Sequence, residues 1–67
     1  MARSINNTYY LFSHSKPPKG RGRWNFRVHY ATKVDMTFDV AIRGTYREAS
    51  RTILLRHPSA ARIDIMP

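Results

Sequence analysis

The chain contains no cysteine. Neither a disulfide framework nor a thiolate metal site can reinforce it, and a domain of 67 residues buries only roughly 60% of the surface that its unfolded form exposes. The core is therefore expected to be thin, with little room for an enclosed catalytic cavity. Pairing with a second copy, as a homodimer, is one remaining source of stability. Acidic residues are scarce as well. The four of them, Asp35, Asp39, Glu48 and Asp64, fall on separate predicted elements, so no pair of carboxylates is set up for acid–base work. His14, His29 and His57 are also spread over three elements without metal-ligand spacing. No nucleophile motif is visible. These absences point away from an enzyme, from a bound metal and from a cofactor. Of only three glycines, Gly20 and Gly22 precede a predicted strand, whereas a phosphate-binding G-x-x-x-x-G-K-[ST] loop leads into a helix. No apolar run approaches the ~20 residues that a membrane span needs, and the start of the chain has no apolar stretch of signal-peptide length. The expectation is a soluble, cytoplasmic protein with no membrane partner.

What is abundant is positive charge. Twelve Lys and Arg against four Asp and Glu give a net charge of +8 and a pI near 10.9. Such a surface attracts polyanions. Nine of the twelve cations are arginines, whose planar fork suits bidentate contacts to phosphate, guanine or carboxylate better than the point charge of lysine does.

The hydrophobic pattern predicts an α+β fold: a small antiparallel sheet in the order β-β-β-α-β, with one helix packed on one face. Trp24, Phe26, Val28 and Tyr30 alternate with Asn25, Arg27 and His29, which is a half-buried strand. Met36, Phe38, Val40 and Ile42 repeat the pattern against Thr37, Asp39, Ala41 and Arg43. Residues 24–30 and 36–43 thus read as a hairpin with a loop at 31–35. Its register sets Tyr30 opposite Met36, Val28 opposite Phe38 and Arg27 opposite Asp39, with both apolar sets on one side. Upstream, the aromatic-rich "TYYLFSH" predicts a first strand over about 8–14, paired with 23–30 across the basic loop. Downstream the period lengthens: Tyr46, Ala49, Ile53, Leu54 and His57 recur at helical spacing, and Pro58 closes the segment. Thr45-Tyr-Arg-Glu48 matches a capping box, in which hydroxyl and carboxylate each accept from a backbone N–H at the helix start. "ARIDIM" alternates again and predicts a last short strand. Residues 1–67 form a single domain, with 1–7 as a flexible N-terminal arm.

The segment "KPPKGRGRW" is the candidate binding element. Its glycines allow the backbone to approach a ligand closely, Pro17 and Pro18 limit its motion, and Lys16, Lys19, Arg21 and Arg23 surround it with charge. Phosphate contacts of this kind hold a protein on nucleic acid without reading sequence. The other reading is a solvated hairpin loop of ordinary turn residues. Continuity with the next strand favours the first: Arg23, Asn25, Arg27 and His29 share its polar face, and Arg43 falls next to Arg23. A sheet face with these groups is able to enter a major groove. Asp39 works against this by pairing with Arg27. Arg47, Arg51 and Arg56 make a secondary basic face on the helix. Trp24, Phe26 and Tyr30 lie with Val28 on the apolar face and are expected in the core.

"GRGRWNFRV" in the hairpin and "GTYREA" at the strand-to-helix turn resemble the AP2-type and integrase arm-binding domains over residues 9–57. The resemblance rests on Arg23, Trp24, Arg27, Gly44, Tyr46, Glu48 and Ala49. It implies a three-stranded sheet docked into the DNA major groove, with Arg23 and Arg27 as DNA contacts. Duplex DNA is accordingly the favoured partner. A short, basic, cysteine-free chain is also what small phage or plasmid products look like, including anti-CRISPR and host-takeover inhibitors. In that alternative the same arginines meet an acidic protein or a nucleoprotein complex, in the cytoplasm of a bacterial or phage-infected cell, and act by blocking.

Overall fold

A computed structural model describes residues 4–32 and 35–67. The elements are α1 (Thr8–His14), β1 (Arg21–Tyr30), β2 (Met36–Thr45), α2 (Tyr46–Arg56) and β3 (Arg62–Met66). The strands form one antiparallel sheet in the order β2-β1-β3, so the class is α+β. The predicted hairpin is present in the predicted register, with Arg27 opposite Asp39, Val28 opposite Phe38 and Tyr30 opposite Met36. Both strands run further than the alternation alone indicated, and Gly22 and Arg23 already belong to β1. Of the predicted connection at 31–35, residues 33 and 34 lie outside the described residues.

The first element is a correction. "TYYLFSH" is a helix, not a strand, and the order is α-β-β-α-β. Aromatic content favoured a strand, but local geometry decides otherwise. Tyr10 stacks on His14 with ring centroids 4.1 Å apart, the four-residue neighbour relation of a helix surface. The Asn6 side chain accepts from Thr8 N at 3.3 Å and from the Thr8 hydroxyl at 2.7 Å at the start of the helix. Ser15 stops it in a left-handed conformation, φ 58°, and donates its N–H to Leu11 O. The sheet edge that this segment was expected to fill is taken instead by β3, whose Ile63 and Ile65 alternate onto the apolar face.

Thr45 caps α2 as predicted, with Glu48 N donating to Thr45 Oγ1 at 3.1 Å. The reciprocal half differs: the Glu48 carboxylate accepts from the Thr45 hydroxyl at 2.9 Å. Strand and helix meet without a loop because Gly44, at φ 137°, turns the chain where a side-chain-bearing residue would be strained. Ala49 and Ile53 of α2 then bury against Trp24, Phe26, Val28, Ile63 and Ile65, with Ala60 in the same cluster. Phe26 is fully buried at its centre, and its truncation to Ala would cost ~3–5 kcal/mol. The rim over β2 is thinner, and Met36 and Phe38 remain 54% and 36% exposed.

Of the expected flexible N-terminal arm, Ile5 and Asn6 are held against the fold. Residues 1–3 lie outside the described set, Ile5 packs against the core, and Asn6 bridges β3 by donating to Ile63 O and accepting from Ile65 N. Among the described residues no helix is long and apolar enough to cross a membrane.

Candidate nucleic-acid interface

Strand alternation sorts the side chains of the sheet onto two faces. The apolar face carries α2. The opposite face presents Arg21, Arg23, Asn25, Arg27 and His29 from β1, Thr37, Asp39, Ala41 and Arg43 from β2, and Arg62, Asp64 and Met66 from β3. The structure therefore brings together six of the sequence-predicted residues, Arg21, Arg23, Asn25, Arg27, His29 and Arg43. A shallow groove crosses this face, lined by Arg23, Asn25, Arg27, Asp39, Ala41 and the C-terminal Met66 and Pro67.

The face is electrically divided. At one end Arg23 stands directly opposite Arg43, and Arg21 opposite Thr45. All three arginines are exposed, and among the described residues none has a carboxylate partner. In the middle, Arg27 Nε meets Asp39 Oδ1 at 2.9 Å and Arg27 Nη2 meets Oδ2 at 3.4 Å. The hydrogen bond from Arg27 holds the Asp39 carboxyl below the usual carboxylate range and raises the guanidinium in turn. Both side chains are largely in water, so the pair adds little stability and mainly cancels local charge.

The far end is a structural network that the sequence did not reveal. Asp64 is fully buried. It accepts from Asn6 Nδ2 at 2.9 Å and from His29 Nε2 at 2.8 Å, and it pairs with Arg62 Nε at 3.3 Å. The other ring nitrogen of His29, Nδ1, lies 3.3 Å from the Thr37 hydroxyl, within hydrogen-bond reach. His29 lies on the predicted face, yet both its nitrogens are engaged within the fold. A polar residue between two isoleucines in "RIDIM" was the available signal. Reading it required knowing that β3 lies against β1, which places Asp64 opposite Arg27 and Arg62 opposite His29.

The basic segment itself is a helix-to-strand connection and not a hairpin loop. It is pinned rather than flexible: Pro18 is buried, and the carbonyl of Gly20, at φ 87°, accepts from Tyr46 N at 2.8 Å. Lys16 and Lys19 line a separate depression with Tyr10 and Pro17. Tyr10 packs toward Trp24, so these lysines gather away from the groove. Arg47 and Arg51 line another depression with Glu48 and Thr52 on α2, and Arg56 is exposed near the end of the helix. They occupy the side of the molecule opposite the polar sheet face. Trp24 and Phe26 are core residues as expected, the indole donating to Gly44 O at 3.1 Å, and Tyr30 is half-buried with its hydroxyl against His57 Nδ1 at 2.7 Å.

Comparison of the chain with protein-family models, with characterised proteins and with solved structures finds no match in any of the three.

Proposed function

We propose that this chain is a small basic nucleic-acid-binding protein that takes duplex DNA on the polar face of its sheet, through Arg21, Arg23 and Arg43, with Asn25 and Arg27 bordering the same groove. The observation that carries this reading is the placement of Arg23 directly opposite Arg43, with no carboxylate paired to either among the described residues. Like charges directly opposite on paired strands destabilise a sheet by roughly 0.2–1 kcal/mol. A polyanion reverses the sign of that interaction, because each phosphate meets a cation already fixed by the strands. Arginine also supplies the fork that reads guanine in a major groove, and a small sheet is a shape that enters one. A three-stranded sheet with a helix behind it is the arrangement that the resemblance to AP2-type domains implies, although here the third strand follows the helix. A nucleic-acid partner inside the cell fits a cytoplasmic protein.

Salt-titrated binding to duplex DNA, single strands and RNA tests the proposal. Arg23→Ala combined with Arg43→Ala should flatten the slope of log affinity against log salt by about two units on duplex DNA. Arg23→Ala alone should be no less stable than the parent, since it removes the repulsion with Arg43. Arg51→Ala, behind the sheet, is the control and should leave the slope within experimental error. If no nucleic acid binds with a salt dependence, or if Arg51→Ala costs as much as Arg23→Ala, this face is not the grip. An acidic protein surface would then be the partner to seek.

A further inference from the structure

The two edges of the sheet are treated differently. The outer side of β3 is covered by Asn6, whose backbone bonds both Ile63 and Ile65. The outer side of β2 is covered by no strand among the described residues, although β2 is ten residues long and contains no Pro, no Lys and no break in register. Such an edge is a template for pairing. We propose that β2 pairs antiparallel with β2 of a second copy about a two-fold axis at Ala41, giving one continuous six-stranded sheet.

Main-chain geometry permits it. Tyr46 N donates to Gly20 O, which continues the β1–β2 ladder one pair past Arg21 and Thr45. In the alternating antiparallel pattern the even-numbered residues of β2 then bond to β1, and Thr37, Asp39, Ala41, Arg43 and Thr45 turn N–H and C=O outward. Two such edges make about ten new hydrogen bonds.

The side chains select the register. A two-fold at Ala41 sets Asp39 of each copy opposite Arg43 of the other, so both charge pairs form at once and the smallest side chain of the strand sits on the axis. Shifting the axis to Asp39 or to Arg43 would bring like charges together. On the other face, the same register lays the partly exposed Phe38 against position 44 of the second copy, where Gly44 leaves open space around its missing side chain. A sheet that needs a second copy also fits a chain with a thin core. Asp39 would lie between its own Arg27 and the second copy's Arg43, and each such trio keeps one net positive charge. The dimer does not depend on the nucleic-acid reading, and its test contains no nucleic acid.

Because the parent chain lacks cysteine, a single introduced thiol reports the register. In Ala41→Cys the two Cα atoms, as a hydrogen-bonded pair, would be about 5.5 Å apart, within disulfide reach. In Thr37→Cys the two thiols would be separated by eight residues of strand, roughly 27 Å. Mild oxidation should convert Ala41→Cys largely to a covalent dimer and leave Thr37→Cys monomeric. Sedimentation of the parent at concentrations up to ~1 mM, as suits a small interface, should show a species of twice the 7.8 kDa chain mass. Ala41→Pro, which removes an outward N–H on the axis, should weaken association at least tenfold. A parent that remains at 7.8 kDa throughout, or equal cross-linking at positions 37 and 41, overturns the proposal.

Discussion

Asp39 and Asp64 both lie on the polar face with arginine beside them, and their surroundings give them different roles. Asp64 is out of water, accepts from Asn6 and His29 and is ion-paired with Arg62, three side chains on three segments, so it organises the fold. Asp39 is in water, and its partner Arg27 would otherwise add to the cationic groove. Replacing Asp39 with Asn should therefore change the denaturation midpoint little at neutral pH in a dilute, monomeric sample while it tightens polyanion binding and steepens the salt slope by about one unit as Arg27 becomes available to a phosphate. The pH dependence has a defined sign. The folded carboxyl lies below its unfolded value, near 3.9 in a free chain. Whatever the pair contributes is present above that value and disappears as pH falls through the lower, folded one. Parent and Asp39→Asn should accordingly converge in stability in acid. An Asn variant that binds duplex DNA no better than the parent would mean that Arg27 lies outside the contact surface.

The hairpin and α2 were legible because each rests on a local pattern with one solution. Strict alternation in "WNFRVHY" and "MTFDVAI" allows a single register that keeps both apolar sets together, and Thr45 with Glu48 marks a helix start by side-chain chemistry alone. α1 was not legible, since Tyr9, Tyr10, Leu11 and Phe12 offer no period of either kind and the deciding contacts come from Asn6 and His14. With the second edge of β1 assigned to residues 8–14, nothing placed Asp64 beside His29 or moved Lys16 and Lys19 toward Tyr10. The arginines of the groove were legible, because they follow from the alternation of β1 and β2 and do not need the third strand. The cap can be tested directly: Thr45→Ala should lower stability by ~0.5–2 kcal/mol through loss of the Glu48 N–H contact. The affinity of the folded protein should not move. An unchanged denaturation midpoint would mean that the anchoring of Tyr46 N on Gly20 O starts the helix without help from the Thr45 side chain.

Among the described residues the arginines of the sheet groove and those of α2 lie on two sides of a body only 17 Å through its shortest dimension. A duplex lying against the sheet leaves Arg47, Arg51 and Arg56 facing away from it, which is why the helix serves as control in the binding test. A different consequence comes from the Asn6 bridge to β3. It joins positions 58 apart in a chain of 67, whereas Arg27 and Asp39 in the hairpin are 12 apart. Closing the longer loop in an unfolded chain costs about 1.4 kcal/mol more in entropy, so the order of assembly is biased: hairpin and helix dock first, and the N-terminal segment and β3 close on them after the barrier is crossed. Chevron kinetics separate the two stages. Asp64→Ala should speed unfolding and leave the refolding rate nearly unchanged, whereas Val28→Ala, in the hairpin core, should slow refolding. Equal slowing of refolding by both would place the far-separated bridge in the nucleus. With the expected order, the bridge acts as a latch on a sheet that has already formed: it governs how long the folded protein persists, and has little influence on how quickly the fold is found.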